Sequence, residues 1–405
     1  MTAPEEARPP ELAADVIRRA ERVLSRRFGG RPRILDHEAL AGRAFVFRCR
    51  VEGRGAPESV IVKQPRPVED KPYDHRDLSF RSPAWFLTTD WAGLELLDVR
   101  QNADGGQQVA PHFYGGDLAR GLLVIEDLGD GESLADVLLG DNAAKAEEAL
   151  VAYGRALGRM HAMTAGLSDD YGAILESLGR SGREREMWNG RLRSEIAKLP
   201  ETCSELEFEW SPGMVDDVQQ TAASLLEPGP FEAYIHGHPC PDNDRLLGGH
   251  MLFFDFDSGA FHNALIDGSY GRVPFPTCWC VNRLPDHLVP KFETAYRLEL
   301  MKGVPKAGDD ALFEKSLIEA AGYWLIENAN ALLPRALRLE QRWGISTYRQ
   351  RLLYRFEAFS RMSARSRELE ALGAWAYLMH ERMRAKWPEV QDMSLYPAFR
   401  QDPRR

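Results

Sequence analysis

The chain has 405 residues, 44% of them apolar and 28% charged, with a formal charge of −10. That length is a soft prior for two or three domains, or two lobes with an insertion, and the composition is ordinary for a globular protein with a real core. The acidic balance argues against nucleic-acid binding, which shows a basic patch, and no apolar stretch reaches the length of a membrane span. The N-terminal MTAPEEARPPELAADV has no apolar core region, so no secretory signal is visible. Five cysteines (Cys49, Cys203, Cys240, Cys278 and Cys280) are an odd number in a large chain. A disulfide framework is therefore not expected, and a cytoplasmic, reducing compartment is.

Residues 1–10 read as a loose tail. ELAADVIRRAERVLSRRF then carries helical periodicity through Leu12, Val16, Ala20, Val23 and Leu24, and GGRPR stops it. Phe45, Phe47, Cys49 and Val51 alternate onto one face of a strand, and SVIVKQP reads as its partner, ended by Pro65. TTDWAGLELLDVR predicts a helix with Thr88 or Thr89 as its cap. QNADGGQQ is a loop, GLLVIEDLGDGES runs from an apolar strand into a glycine-containing crossing, and SLADVLLG opens a helix. AAKAEEALVAYGRALGRMHAMTAG is a long helix with His161 near its apolar stripe. Residues 165 to about 230 read as a helical insertion anchored by Trp188 and Trp210, and the chain from Pro285 to Pro388 is almost wholly helical in pattern.

Between those helical regions lies the octet His236-Gly237-His238-Pro239-Cys240-Pro241-Asp242-Asn243, followed by MLFFDFDSGA. A tight polar loop precedes a hydrophobic run that reads as a strand bearing Asp255 and Asp257 on one face. Phosphoryl transfer needs such parts: a turn that places a base and an amide, then a carboxylate delivered to Mg²⁺. Taken singly, each piece has an ordinary explanation. Lys63 near a strand end is most often a solvated lysine, Glu126-Asp127-Leu128 is a polar exit from a core strand, and His161 is a hydrogen-bonded core histidine. Asp255 and Asp257 could simply terminate a strand. Cys278 and Cys280, in the apolar VPFPTCWCVNRLP, read as buried thiols rather than a metal knuckle, which would want a second CxxC.

The order of the pieces is more specific than any one of them. A lysine strand, an acid-bearing helix, a strand-to-linker hinge, a long helix, the octet and a strand-borne aspartate resemble the aminoglycoside phosphotransferase/choline kinase-like family over about residues 30–285. LAGRAFVF stands where a GxGxxG loop would be. The resemblance implies an α+β, protein-kinase-like bilobal fold, with a small antiparallel sheet in the N-lobe and a mainly helical C-lobe. It divides the chain into a tail and helix (1–30), a nucleotide-binding lobe (31–128), a lobe core with the octet (129–285) and a helical substrate-side region (286–405).

Carried over residue by residue, the resemblance implies ATP and Mg²⁺ as cofactors and a small-molecule hydroxyl acceptor. Lys63 would hold the α- and β-phosphates as a point charge, oriented by Asp90, with Glu95 the alternative. The backbone around Glu126 to Leu128 would take the adenine edge, with Leu128 lining its pocket. Asn243 and Asp255 would ligate Mg²⁺, with Asp257 near the metal or the substrate. His238 stands where the family has the aspartate that takes the hydroxyl's proton. An imidazole is neutral or cationic near neutral pH. General-base assistance is worth about 10²–10⁴-fold, so its loss slows the reaction without forbidding it.

Three readings follow. The first is an ATP-dependent small-molecule phosphotransferase. The second is a pseudokinase that binds nucleotide or a metabolite as a regulatory module. The third is a metal hydrolase using His236, His238, Cys240, His250 and Asp255 as a zinc ligand set.

Overall fold

The computed structural model describes residues 12–40, 45–65, 73–105, 107–180, 184–204 and 210–400. The expected tail over 1–10 and positions 41–44 of LAGRAFVF lie outside the described residues. Two compact units emerge. Residues Met1–Asp130, Asp170–Gly182 and Phe254–Gly259 form the first, and the rest of the chain forms the second.

In the first unit, helix α1 (Ala14–Phe28) is followed by strands β1 (Arg33–Ala39), β2 (Val46–Glu52) and β3 (Ser59–Lys63). Helix α2 (Pro83–Asp104) and strands β4 (Phe113–Asp117) and β5 (Leu122–Glu126) follow. The five strands make one antiparallel sheet in the order β1-β2-β3-β5-β4. The periodic stripe of α1 explains its place: Val16, Ala20, Val23 and Leu24 pack on Phe47, Cys49, Val51, Val60, Val62, Leu122 and Val124. Because side chains alternate along a strand, Lys63 leaves β3 from the opposite face to Val60 and Val62.

Two local expectations are corrected. Phe45 does not share the strand face: it precedes β2 with φ of 70°, a conformation strands do not use. Thr88 and Thr89 do not cap α2, which already begins at Pro83. Ser82 caps it by accepting from Trp85 N (3.0 Å), with Pro83 supplying the first-turn geometry. The threonines are buried in mid-helix, their hydroxyls donating to carbonyls one turn back.

The second unit begins with α3 (Leu134–Leu139), closed by a reciprocal cap between Ser133 and Asp136, and α4 (Ala143–Thr164). Helix α5 (Ser168–Ser177) belongs to the first unit from Asp170 onward. Then come α6 (Glu184–Ser204), α7 (Pro212–Leu226), β6 (Glu232–Ile235), β7 (Asp244–Leu247), β8 (His250–Phe253), β9 (Ala260–Asn263) and the short α8 (Leu265–Gly268). Helices α9 (Val289–Leu300) and α10 (Asp310–Arg338) are followed by β10 (Arg342–Trp343), β11 (Ser346–Thr347), α11 (Tyr348–Ser366) and α12 (Glu370–Lys386). The strands pair only as short antiparallel ribbons, β6 with β9, β7 with β8 and β10 with β11. Helix α9 lies very close to α4 because Gly154 and Gly158 leave room for it. A methyl group at those positions would meet the carbonyls of Phe292 at 2.8 Å and Tyr296 at 2.2 Å. Trp188 is buried as expected, and Trp210 is half-buried. Among the described residues, no helix is long and apolar enough to cross a membrane.

The α+β class is therefore observed directly, as a five-stranded antiparallel sheet with helices and a predominantly helical second unit. Leu24, fully buried between α1 and the sheet, should be a strong contributor to stability. Chemical denaturation of Leu24→Ala should show a loss of about 2–5 kcal/mol, whereas the exposed Arg22→Ala should stay within about 0.5 kcal/mol.

Candidate active site

Within the first unit, β3 ends on Lys63, and its ammonium meets two carboxylates. It donates to Asp90 Oδ2 at 2.6 Å and also to Asp255 Oδ1. The partners lie 27 and 192 residues away in the chain. Asp90 is 2% exposed and spends its second oxygen on the backbone N–H of Phe256 (2.8 Å), so one helix acid holds both the lysine and the segment that bears Asp255. Glu95, the alternative partner, instead accepts from the indole of Trp91 at 2.7 Å.

Asp255 and Asp257 do not sit on a strand. β8 stops at Phe253. Asp255 has φ of 73°, which breaks the pleat, and the next N–H is donated to Asp90 rather than to a ladder partner. The shared strand face expected for the two acids is therefore replaced by a loop, which still brings both to Lys63.

Three carboxylates surround one ammonium, and the electrostatics reflect the imbalance. Burial alone would pull Lys63 down, but Asp255, Asp90 and Asp257 together lift its pKa above the ordinary lysine range. Burial pushes Asp90 up against the pull of Lys63. Asp257 is pushed up to about 7, first by burial and then by Asp255. A site with surplus buried negative charge fits a divalent cation. Magnesium needs only one or two protein carboxylates beside phosphates and water, which this donor set provides. Among the described residues, no three His, Cys, Asp or Glu side chains converge into a fuller metal cluster.

Sequence inspection missed what braces this cluster. Arg180, 3% exposed, donates to Thr88 Oγ1 (3.0 Å), Thr89 Oγ1 (2.6 Å) and the carbonyl of Trp85 (3.1 Å), and its guanidinium lies 4.9 Å from the centroid of the Trp85 ring. It thereby ties the residues just after α5 to the turn of α2 that precedes Asp90. An arginine in a charged helical stretch reads as solvated, so nothing in the sequence pointed to it.

In the second unit the octet joins β6 to β7. Asp267, fully buried, accepts from the N–H groups of His236 (2.7 Å) and Gly237 (3.3 Å). The hydroxyl of Tyr153 donates to Pro239 O, and Ala135 N to Pro241 O at 2.7 Å. The loop is wound tightly on itself, with Cys240 N donating to His238 O (2.7 Å) and Asn243 N to Cys240 O (2.8 Å). The Asn243 amide also donates to His238 O at 3.3 Å, so His238 and Asn243 are brought together by the turn. His238 is half-buried, and Asn243 is buried at 8% exposure. Asp242 accepts from the indole of Trp279 (2.9 Å).

Several remaining expectations can be placed. His161 is a core histidine, sharing a 2.9 Å hydrogen bond with the Tyr296 hydroxyl and lying 3.6 Å from Asp267. The Glu126 side chain is engaged by Gln108 Nε2 (2.5 Å) and His112 N (3.0 Å), and Leu128 is half-buried just beyond β5. Cys278 is not a separate thiol: it is joined to Cys240 in a disulfide across 38 residues, whereas Cys280 and Cys49 are buried free thiols. Sequence spacing cannot report such a pairing, because the fold alone brings the two Cα atoms to 5.6 Å. The zinc reading loses its donor set with it. Cys240 sulfur is bonded to carbon and sulfur, His236 is fully buried and His250 is exposed.

No protein-family model matches the chain, and no curated protein matches it in sequence. Among solved structures, the chain is similar to the ethanolamine kinase of Plasmodium vivax, with 12% identity over 87% of this chain and 83% of that one and a TM-score of 0.45. It is also similar to the choline kinase of Cryptosporidium parvum, with 10% identity over 87% and 90% and a TM-score of 0.44. An amicoumacin kinase in complex with AMP-PNP and Ca²⁺ gives 15% identity over 83% and 87%, with a TM-score of 0.42. Likeness at this level assigns no activity, so the roles below rest on the residues of this chain.

Two outcomes follow from the geometry. Because the folded form keeps a proton on Asp257 up to about pH 7 while the unfolded chain releases it near 4, Asp257 makes stability fall as pH rises across that interval. Asp257→Asn should flatten this decline in melting temperature measured from pH 4 to 8. Asp267→Ala, which orphans two buried N–H groups, should cost about 2–5 kcal/mol in denaturant titrations, and Asp267→Asn, which keeps an acceptor, clearly less.

Proposed function

We propose that this protein is an ATP-dependent phosphotransferase acting on a hydroxyl of a small molecule, with His238 in the position of the proton-accepting aspartate. One observation carries the reading: Lys63 bonds at once to a helix acid and to the acid that follows β8. A surface lysine has no use for such an arrangement, whereas a phosphate-binding lysine needs to be held in place and kept charged.

In this reading Lys63 takes the α- and β-phosphates and Asp90 orients it. Asp255 and Asn243 hold the magnesium ion, with Asp257 as a further carboxylate. The backbone from Glu126 to Leu128 takes the adenine edge. Mg·ATP, when bound, supplies the transferable phosphoryl group and neutralises its charge. Phosphate oxygens would then compete with Asp255 for the Lys63 ammonium, which frees that carboxylate for the cation. His238 orients the acceptor hydroxyl and takes its proton when the imidazole is neutral.

A second reading, a nucleotide-binding module with little turnover, is favoured by His238 itself, which offers no fixed negative charge at the base position. Calorimetric titration with ATP separates the two readings. Binding should require Mg²⁺, Lys63→Met should weaken it on the order of tenfold or more, and Asp255→Asn should remove the magnesium requirement together with any hydrolysis. If His238→Asp raises turnover by about 10²–10⁴-fold, the natural protein is the weakly active form. No binding of any nucleotide to the native chain would overturn both readings.

A further inference from the structure

The octet is held along most of its length by hydrogen bonds, but at its centre by a covalent bond. Its start is fixed by Asp267, its middle by Tyr153 on Pro239 and its end by Ala135 on Pro241. On the remaining side it faces a strap, residues 276–281. There the Cys240–Cys278 disulfide is accompanied by the Trp279 indole on Asp242 (2.9 Å) and a 3.7 Å contact between Thr277 Oγ1 and Cys240 Sγ. Cys240 sulfur also lies 3.8 Å from the Nε2 and 3.9 Å from the Nδ1 of His238.

The strap does not depend on that bond. Arg351 of α11, fully buried, donates to the carbonyls of Cys278 (2.6 Å), Trp279 (3.0 Å) and Trp343 (2.6 Å) and to Ser346 Oγ (3.0 Å). Arg355, one turn further on, donates to the carbonyl of Pro276 at 3.0 Å. Ser346 donates to the carbonyl of Val281 at 2.8 Å. The β10–β11 turn closes on the same segment: a methyl group on Gly344 would meet Trp279 O at 2.1 Å. Opening the disulfide would therefore leave the strap in place and remove the covalent tie between it and the octet.

We propose that Cys240 and Cys278 form a redox modification site that fixes the octet when oxidised and loosens it when reduced. The proposal rests on the octet being a working part of the site, as read above. In closure, the two thiols give up two protons and two electrons to a low-molecular-weight disulfide, which leaves as two thiols, and a small thiol reverses the exchange. Cys240 and Cys278 are 4% and 1% exposed, so exchange proceeds when the octet opens, past the exposed Trp279. A change at this bond acts on His238 and Asn243, two residues before and three after Cys240, and not on the Arg351 clamp.

The test uses the full chain equilibrated in glutathione buffers of graded ratio, quenched in acid, unfolded and alkylated. The oxidised form should carry two fewer labels than the five of the dithiol form, with the missing labels mapped to 240 and 278. Hydrogen exchange of both forms, without nucleotide, should then show 236–243 exchanging on the order of tenfold or more faster in the dithiol form, with 276–281 and α11 unchanged. Cys278→Ser should exchange like the dithiol form in every buffer, and Cys240→Ser should behave the same way if one substitution folds poorly. Arg351→Lys should loosen the strap as well and slow closure of the pair. A label count of five in every buffer, or equal exchange of 236–243 in both forms, would overturn the proposal. Since no nucleotide enters these measurements, their failure leaves the phosphotransferase reading to its own titration.

Discussion

An ammonium drawn into a protein interior must be surrounded by compensating charge, and in the first unit that requirement falls on Lys63. Strand β3, the middle strand of the sheet, ends on the lysine, and α2 brings Asp90 against it. The second oxygen of Asp90 then holds Phe256 N, so the acid that neutralises the lysine also fixes the segment bearing Asp255. Arg180 in turn fixes the turn of α2 from which Asp90 projects. Each of these contacts makes the next one possible. The result is an over-determined group of one cation and three acids, held with more negative charge than the lysine alone can balance.

The second unit solves a different problem, that of holding a polar turn with few regular backbone partners. It does so with single groups aimed at individual loop atoms: a buried carboxylate at the start, a tyrosine hydroxyl in the middle, and the N-terminal turn of α3 at the end. The supporting helices can come close enough because α4 carries glycines where α9 crosses it. Precision at the octet is thus set by packing well away from it.

Much of this was legible in the sequence. The stripe of α1, the alternation of β2 and the apolar run of β5 follow directly from periodicity, and the order of Lys63, Asp90 and Asp255 pointed to their meeting. What escaped has physical reasons. Strand β4 is built from Phe113-Tyr114-Gly115-Gly116-Asp117, and two glycines erase the usual strand signal. Gly116 is needed because Trp91 and Leu122 leave no space for a side chain. The loop at Asp255 depends on a positive φ, which an aspartate tolerates but does not announce. Arg180, Arg351 and Arg355 are buried against carbonyls and hydroxyls, and composition makes such arginines look like solvent-facing residues. The partner of Cys240 depends on tertiary distance alone.

The link from residue 240 to residue 278 also has a topological result. It turns the intervening chain into a small covalent ring that contains Asn243, Asp255, Asp257 and Asp267. A protease nick anywhere inside that ring would leave a single molecule until reductant was added. While the disulfide is closed, the same ring also limits the conformations open to that stretch of the unfolded chain, so less chain entropy is lost when it folds.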